Sequence, residues 1–239
     1  MSIISEFRGN IFQSSCQTLV NTVNCVGVMG KGIALEFKNR FPEMYDEYAR
    51  YCADKRIHPG VLHLWKKSEP WILNFPTKSN WKHPSKLEYI EQGMAKFCAT
   101  YATKGITSIA FPELGTSLGG LQWSAVKEVM YRFLEPLPNL DVEIYHFDPN
   151  AEDSLFDRLH QRIHRFSVED YKRYLGINAK QAKLLMDAFS TSTIHTMLEI
   201  QQIKGVGDKT IQSLYEFAKA TVETRRLVTQ AERQPTLVF

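Results

Sequence analysis

The fold is decided by the stretch LVNTVNCVGVMGKGIA, residues 19–34. It begins with β-branched and apolar residues typical of a strand and ends in a pattern typical of a helix. Between them lie Gly27, Gly30 and Gly32, which let the backbone bend and approach a ligand closely. A helix that begins there presents unpaired N–H groups and the positive end of its dipole, a favourable site for a phosphate. The stretch therefore predicts a strand, a phosphate-binding loop and a helix.

A second glycine-rich loop follows another predicted strand. It has the sequence ELGTSLGGL at residues 113–121 and precedes a further helical pattern. Either loop alone is better explained as a flexible turn, but two of them at the ends of successive strands predict a clamp for a diphosphate. Their spacing matches neither the Gly-Lys-Ser/Thr loop of nucleoside triphosphatases nor the Gly-x-Gly-x-x-Gly dinucleotide fingerprint.

The rest of the first 150 residues alternates strands with helices. Apolar residues at three- and four-residue spacing predict the helices, and short β-rich runs predict the strands. This alternation is typical of an α/β fold with a mixed, largely parallel sheet, in which ligands bind beyond the carboxyl ends of the strands. The predicted strands are 3–7, 18–24, 62–65, 71–75, 108–111 and 142–147, and the predicted helices are 31–55, 85–104 and 124–134.

The character of the sequence changes near residue 150. From residue 151 to about 229 only helical periodicity is found, and residues 230–239 are predicted to form a flexible tail. Two similar segments, GINAK at 176–180 and GVGDK at 205–209, each follow one helical stretch and open another. We therefore predict an α/β domain at 1–150 and a small all-α domain with an internal repeat at 151–229.

Composition narrows the class of protein. With 44% apolar and 12% aromatic residues, the 239-residue chain can form a packed core. No apolar run approaches the roughly 20 residues that span a bilayer, and no secretion signal opens the chain, so we expect a cytoplasmic protein. The four cysteines are scattered without a Cys-x-x-Cys pair, so no metal site, disulfide framework or cofactor is expected. A net charge of +3 is too small to indicate nucleic-acid binding by itself.

Four motifs resemble those of a known family. They are VNTVN at 20–24, VMGKGIALEFK at 28–38, NFPTK at 74–78 and LGGLQW at 118–123. In this order they are similar to the macrodomain family, and more narrowly to the DarG-type DNA ADP-ribosyl glycohydrolases, the antitoxins of DarT toxins. Over residues 1–148 the resemblance implies a three-layer α/β/α fold that hydrolyses ADP-ribose from DNA bases, thymine in particular. The implied partners are ADP-ribosylated DNA and a DarT-like toxin. We expect this DNA to be single-stranded.

The resemblance also implies site residues. Lys78 matches the lysine on which catalysis depends in this group, and Asn24 is implied to hold the ribose beside the bond that breaks. Lys31 is as readily interpreted as a solvent-facing side chain, and Asn21 as a support of the loop. The ADP-ribose-binding set that we predict is Asn10, Ile11, Asn21, Gly30, Lys31, Gly32, Ile33, Thr116, Ser117, Leu118 and Gly119.

The sequence departs from the family pattern at two positions. Asn10 stands where many macrodomains have an aspartate that accepts a hydrogen bond from adenine, and its neutral carbonyl is a weaker acceptor. Gly119 stands where a related lysine-using branch has an acidic residue. Without that acidic residue, catalysis by Lys78 must be assisted by other groups.

The chemistry of Lys78 stays open at this level. A lysine with a pKa lowered by an apolar site can attack the ribose carbon, whereas a charged lysine can protonate or stabilise the departing base. Two further alternatives are a non-catalytic reader of ADP-ribose and an antitoxin that acts by direct contact with its toxin. Ordinary surface or structural roles are assigned to Glu113, His83, Lys82 and Lys86. The apolar residues Trp71, Phe75 and Trp81 are interpreted either as neighbours that give Lys78 a partly dry setting or, equally, as core residues.

The segment IKGVGDKT at 203–210 resembles a helix-hairpin-helix, an element that binds the DNA backbone. It predicts DNA contacts by Lys204, Gly205, Gly207 and Lys209, with Asp208 as the N-cap of the next helix. In the first copy Asn178 replaces the second glycine, which we attribute to the ease with which asparagine enters left-handed conformations. An ordinary helical turn is the alternative for both copies, and the favoured one for the first.

Overall fold

A six-stranded sheet organises the first part of the chain. The computed structural model describes residues 2–191 and 194–220, and its sheet has the order β1-β6-β5-β2-β4-β3. Only the edge strand β3 runs antiparallel to its neighbour; the other pairs are parallel. All six predicted strands are present. Their bounds are β1 Ile3–Gly9, β2 Thr18–Val23, β3 His63–Trp65, β4 Trp71–Pro76, β5 Ser108–Pro112 and β6 Asp141–Phe147.

Helices cover both faces of this sheet. Neighbouring residues on a strand point to opposite faces, so Val20 and Leu73 pack against one helical layer and Leu19 and Ile72 against the other. The result is the predicted three-layer α/β/α architecture. The helices are α1 Gly32–Arg40, α2 Pro42–Ala53, α3 Leu87–Thr100 and α4 Trp123–Leu134.

The prediction of one helix over residues 31–55 is wrong. The structure has two helices there, and Pro42 is the first residue of the second. Proline has no N–H to continue the preceding helix and its fixed φ suits a helix start. The break after Arg40 turns the chain so that Phe37 and Met44, on different helices, both reach the same core.

The second compact unit begins at Asp153 and is helical throughout the residues described for it. The Asp153 carboxylate caps its first helix by accepting from the N–H groups of Leu155 and Phe156, and it also accepts from Met197 N–H at 2.9 Å. One buried side chain thereby joins two helix starts. The helices are α5 Ser154–Ile163, α6 Val168–Leu175, α7 Ala179–Ser190, α8 Met197–Ile200 and α9 Asp208–Lys219.

The predicted tail at 230–239 lies outside the described residues, as does the end of the predicted helical region after residue 220. Among the described helices, none combines the length and the apolar character needed to cross a membrane.

Candidate active site

The two glycine loops meet at the carboxyl ends of the central strands. The first glycine loop, residues 24–31, follows β2, and the second, residues 113–121, follows β5, which pairs with β2. A Cβ placed on Gly32, the first residue of α1, would lie 3.3 Å from Cδ1 of Leu118 in the second loop. The two glycine loops therefore face each other, and the binding of a diphosphate between them stays a prediction.

Asn24 shapes the first glycine loop. Its side-chain oxygen accepts from Val26 N–H at 3.0 Å and Val28 N–H at 3.3 Å, and its amide donates to the Val28 carbonyl. The buried Tyr48 hydroxyl donates to the Asn24 carbonyl at 2.6 Å, and this bond fixes the backbone of Asn24. Asn24 thus organises the loop, and its predicted contact with the ribose stays a prediction.

The N-terminus of α1 is open to a ligand. Its N-cap, Lys31, is exposed and makes no side-chain capping bond. Within the described chain the N–H groups of Gly30, Lys31, Gly32 and Ile33 donate to no protein acceptor. Gly32 has a φ of +57°, a left-handed conformation that favours glycine. These unpaired donors, together with the helix dipole, suit a phosphate.

The second glycine loop is held by backbone hydrogen bonds near its ends, whereas the N–H groups at its tip are unpaired within the part of the chain that the structure describes. Leu121 N–H donates to the Gly115 carbonyl at 3.1 Å, and Ser85 N–H donates to the Gly119 carbonyl at 2.9 Å. The N–H groups of Ser117, Leu118 and Gly119 find no acceptor among the described residues. Thr116, at the start of this tip, bonds through its hydroxyl to the Glu113 side chain at 3.1 Å. The loop therefore presents a second set of donors.

An acidic residue at position 119 would require the second glycine loop to shift. A Cβ there would lie 2.0 Å from the Gly115 carbonyl oxygen and 2.5 Å from Oγ of Ser85, and both distances are shorter than any real contact. The departure from the related branch follows from this tight loop.

Lys78 lies between the two loops. It follows β4, and its Nζ donates to the carbonyl of Leu118 at the tip of the second glycine loop. Burial lowers the pKa of the Lys78 ammonium, because a desolvated cation loses hydration energy. Within the described chain no carboxylate forms a salt bridge with it. The amine thus lies at the tip of the second glycine loop, and its pKa is below that of a solvated lysine.

Asn21 lies in the interior, and this corrects its prediction as a ligand contact. Its side chain is fully buried and donates to Asn74 Oδ1 at 2.8 Å. Asn74 in turn bonds to His63, and His63 to Glu47, both at 3.0 Å. Asn21 therefore stabilises the sheet beneath the loop, as the alternative interpretation had it.

Asn10 and Ile11 follow β1 at the same edge of the sheet. Asn10 Oδ1 accepts from Phe12 N–H at 3.0 Å and caps a short 3₁₀ turn at Ile11–Gln13. The Ile11 side chain is buried in the core, so only its backbone is available to a ligand. The predicted adenine contact of Asn10 stays a prediction.

Sequence reasoning missed a polar network behind the second glycine loop. His146 on β6 bonds to Glu113 at 2.6 Å through Nδ1 and to Glu6 on β1 at 2.9 Å through Nε2. Lys127 forms a salt bridge with Glu6 at 2.7 Å. Glu113 and then Glu6 raise the pKa of His146, and hydrogen bonds from Lys127 and Tyr131 lower the pKa of Glu6 to about 2. Glu113 is thus a support of the loop through Thr116, not a free surface carboxylate.

Two helical hairpins occur in the second unit. Gly176 (φ 66°) and Gly205 (φ 95°) both adopt left-handed conformations, whereas Asn178 and Gly207 are extended N-caps. Two predictions are corrected here. Gly207, not Asp208, is the N-cap of α9, and Asn178 needs no left-handed conformation.

The two hairpins differ in the N–H groups they leave free. Asn178 caps α7 by accepting from Gln181 N–H at 3.0 Å, whereas Gly207 gives α9 no side-chain cap. The exposed Lys204 and Lys209 flank this open turn.

Comparison with known proteins agrees with this geometry. A Macro domain family model matches residues 20–130. The solved structure "Macrodomain of Thermus aquaticus DarG" matches with a TM-score of 0.59 and 38% identity, over 61% of this chain and 99% of that one. The chain belongs to the macrodomain family. The predicted resemblance is confirmed, and the N-terminal unit is called the macrodomain below.

Two further matches describe what relatives of the macrodomain do. The DNA ADP-ribosyl glycohydrolase of Thermus aquaticus is 41% identical over 142 residues, 58% of this chain and 39% of that relative. The structure "Thermosipho africanus DarTG in complex with ADP-ribose" has a TM-score of 0.59 at 36% identity, over 64% of this chain and 43% of that one. The chain thus spans well under two thirds of these relatives.

Groups of His, Cys, Asp and Glu that could hold a metal ion were not found among residues 2–191 and 194–220. Cys25, next to Asn24, is a weak nucleophile, because burial raises the pKa of its thiol to about 12.

Proposed function

We propose that this chain is a hydrolase that removes ADP-ribose from a modified base of DNA, thymine in particular. The observation that carries the proposal is the contact of Lys78 Nζ with the Leu118 carbonyl, in the loop that faces Gly32. It places an amine whose pKa is lowered by burial at the loop that carries one set of free N–H donors, and Leu118 of that loop faces Gly32, where the other set lies. The names of the Thermus and Thermosipho relatives support this substrate class.

The positions of the two glycine loops and of Lys78 suit separate roles in binding and in catalysis. The N–H groups of residues 30–33 and 117–119 bind the diphosphate of ADP-ribose, and Asn24 holds the loop that faces the ribose. Lys78 then lies beside the bond between ribose and base. Because its pKa is lowered, Lys78 reaches its neutral form more readily than a solvated lysine. The neutral amine can attack the anomeric carbon as the bond from that carbon to the base breaks, and the base leaves with the electron pair and takes up the proton that the amine loses. Water finally releases ADP-ribose, so the net reaction is hydrolysis of an N-glycosidic bond.

A DNA substrate and a toxin partner belong to the same proposal. The Thermosipho africanus relative is named a fusion of a DNA ADP-ribosyl transferase with a DNA ADP-ribosyl glycohydrolase. We infer that this chain reverses the action of a DarT-like transferase on single-stranded DNA in the cytoplasm.

The second unit is proposed to bind the backbone of that DNA. At the second hairpin, the uncapped start of α9 and the exposed Lys204 and Lys209 offer N–H groups and charge to phosphates. Gly205 provides the tight turn through its left-handed φ, and Gly207 is the extended N-cap, which adds no side chain at the start of α9.

The deciding experiment measures release of ADP-ribose from an oligonucleotide that carries ADP-ribosylated thymine. The wild-type chain should release it, and Lys78→Ala should be slower by about 100-fold or more while still binding free ADP-ribose. Lys96→Ala, an exposed lysine of α3, is the matched control and should keep full activity.

Three results would contradict the proposal. Full activity of Lys78→Ala would remove the catalytic assignment. Binding of ADP-ribose without release by the wild-type chain would select the non-catalytic reader. Protection of cells from a DarT-like toxin by Lys78→Ala would favour an antitoxin that acts by direct contact.

A further inference from the structure

A short basic segment bridges the two glycine loops. This bridging segment, residues 77–86, is fixed at one end by Thr77 N–H, which donates to the Val23 carbonyl at 2.9 Å, and by the Ser79 carbonyl, which accepts from Cys25 N–H at 3.2 Å. At the other end Ser85 bonds to Gly119 of the second loop. The segment is therefore anchored to both walls of the ADP-ribose cradle.

In the middle of the bridging segment, Asn80 stabilises a turn by two hydrogen bonds. Its side-chain oxygen accepts from Lys82 N–H at 3.0 Å, and its carbonyl accepts from His83 N–H at 3.1 Å. This turn directs Trp81 outward, so that the indole is 52% exposed. Neither core of the macrodomain includes Trp81. Packing of the fold does not account for so large an apolar side chain at this position.

The charged residues closest to Trp81 in the sequence are all positive. Lys78, Lys82 and Lys86 lie within nine residues, and the sequence has no Asp or Glu between Glu69 and Glu88. Lys82 and Lys86 are exposed, and Lys82 Nζ lies 5.4 Å from the centre of the Trp81 ring. An exposed aromatic ring among cations is the combination with which proteins bind single-stranded nucleic acid, through base stacking and phosphate contacts.

We propose that Trp81 is a stacking platform for a nucleotide next to the modified base in single-stranded DNA, with Lys82 and Lys86 binding the phosphates. This inference rests on the proposed function and names the part of the substrate that lies beyond the scissile bond. The proposed function places the diphosphate in the two glycine loops and Lys78 beside the scissile bond, so the nucleotides that flank the modified base are expected near the segment that carries Lys78. Trp81 lies three residues after Lys78 on an anchored turn, which suits this position.

The test compares two substrates of the full chain. One is a single-stranded oligonucleotide with one ADP-ribosylated thymine, and the other is ADP-ribosylated thymidine without flanking nucleotides. Trp81→Ala should lower the ratio of the two kcat/KM values about tenfold, the loss expected for one base–aromatic stack. Trp81→Phe should restore most of the ratio. Lys82→Glu should also lower the ratio of the two kcat/KM values and make this ratio depend less on salt concentration. Lys96→Glu, which makes the same charge change on α3, should leave the ratio unchanged.

Affinity for an unmodified single-stranded oligonucleotide separates this inference from the proposed function. If the wild-type chain hydrolyses neither substrate, the proposed function fails, and the platform is judged by whether Trp81→Ala weakens this affinity about tenfold. If hydrolysis is intact and Trp81→Ala keeps the wild-type kcat/KM ratio, the platform is overturned and the proposed function stands. Binding of free ADP-ribose by Trp81→Ala reports that the variant is folded.

Discussion

At the scale of the residue, the protonation state of the Lys78 amine determines whether it can attack the ribose carbon. Burial lowers the pKa of Lys78, and its partner is a carbonyl rather than a carboxylate. The side chain therefore loses its proton more readily than a solvated lysine does.

This property predicts the behaviour of Lys78→Arg. An arginine keeps its charge at every accessible pH, so it can stabilise a departing base but cannot attack carbon. We expect Lys78→Arg to be as inactive as Lys78→Ala in single-turnover release of ADP-ribose from DNA. Substantial activity of the arginine variant would instead assign Lys78 a purely electrostatic role.

Gly119 is required by its neighbours and not by its own conformation. A methyl group at this position would meet the Gly115 carbonyl oxygen at 2.0 Å. Gly119→Ala should therefore destabilise the macrodomain by about 1–3 kcal/mol and weaken binding of ADP-ribose in calorimetry, because the loop must open. Gly9→Ala is the control, since a Cβ at Gly9 meets nothing within 4 Å. Equal effects of the two substitutions would show that the loop is loose.

At the scale of the element, β1, β6 and the second glycine loop are joined by His146. The imidazole ring lies between Glu6 and Glu113, while Lys127 and Tyr131 of α4 contact the other carboxylate oxygen of Glu6. Trp123 packs edge-on against the ring. A positive imidazole is favoured by the two carboxylates, so folding is linked to pH through it.

The sign of that linkage can be predicted. Because the folded-state pKa of His146 is raised, its contribution to stability is complete below about pH 6.5 and is lost as pH rises through the raised value. Glu6, with its pKa lowered to about 2, contributes above about pH 4.5 and loses this on acidification. The difference in melting temperature between wild type and His146→Gln should shrink from pH 6 to pH 9. A difference that does not vary with pH would contradict the network.

The two hairpins offer a matched pair of elements. They share a left-handed glycine and an extended N-cap, but only the second leaves its helix start uncapped. Lys204→Glu with Lys209→Glu should weaken binding of DNA and reduce the slope of log K against log salt by about 2. The same change at Lys180 and Lys183 in the first hairpin should have little effect. Equal losses from both pairs would point to general charge instead of a phosphate site.

At the scale of the whole molecule, the chain divides after Glu152. The solved Thermus macrodomain is matched over 99% of its length by 61% of this chain, close to the share that the first unit, Met1–Glu152, makes up. We expect residues 1–152 expressed alone to bind ADP-ribose with the affinity of the full chain, and to bind DNA less tightly. Titration of both ligands checks this, and loss of ADP-ribose binding by the fragment would show that the second unit completes the site.

Local patterns in the sequence determined much of this protein. The strands, the two glycine loops and the order of the four motifs could all be predicted, because the period of apolar residues and the freedom of glycine act over a few neighbouring positions. The break between α1 and α2, which the predicted helix over residues 31–55 lacks, is also marked by a local signal, Pro42.

Other features were decided only when the chain folded. His146 and Glu6 are 140 positions apart in sequence, and the atoms that forbid a side chain at Gly119 include Oγ of Ser85. Asn21 has a polar side chain typical of a loop or a ligand site, yet it is buried because Asn74 lies opposite it on the neighbouring strand. Contacts between distant segments depend on strand register and on how loops pack, and no local pattern carries that information.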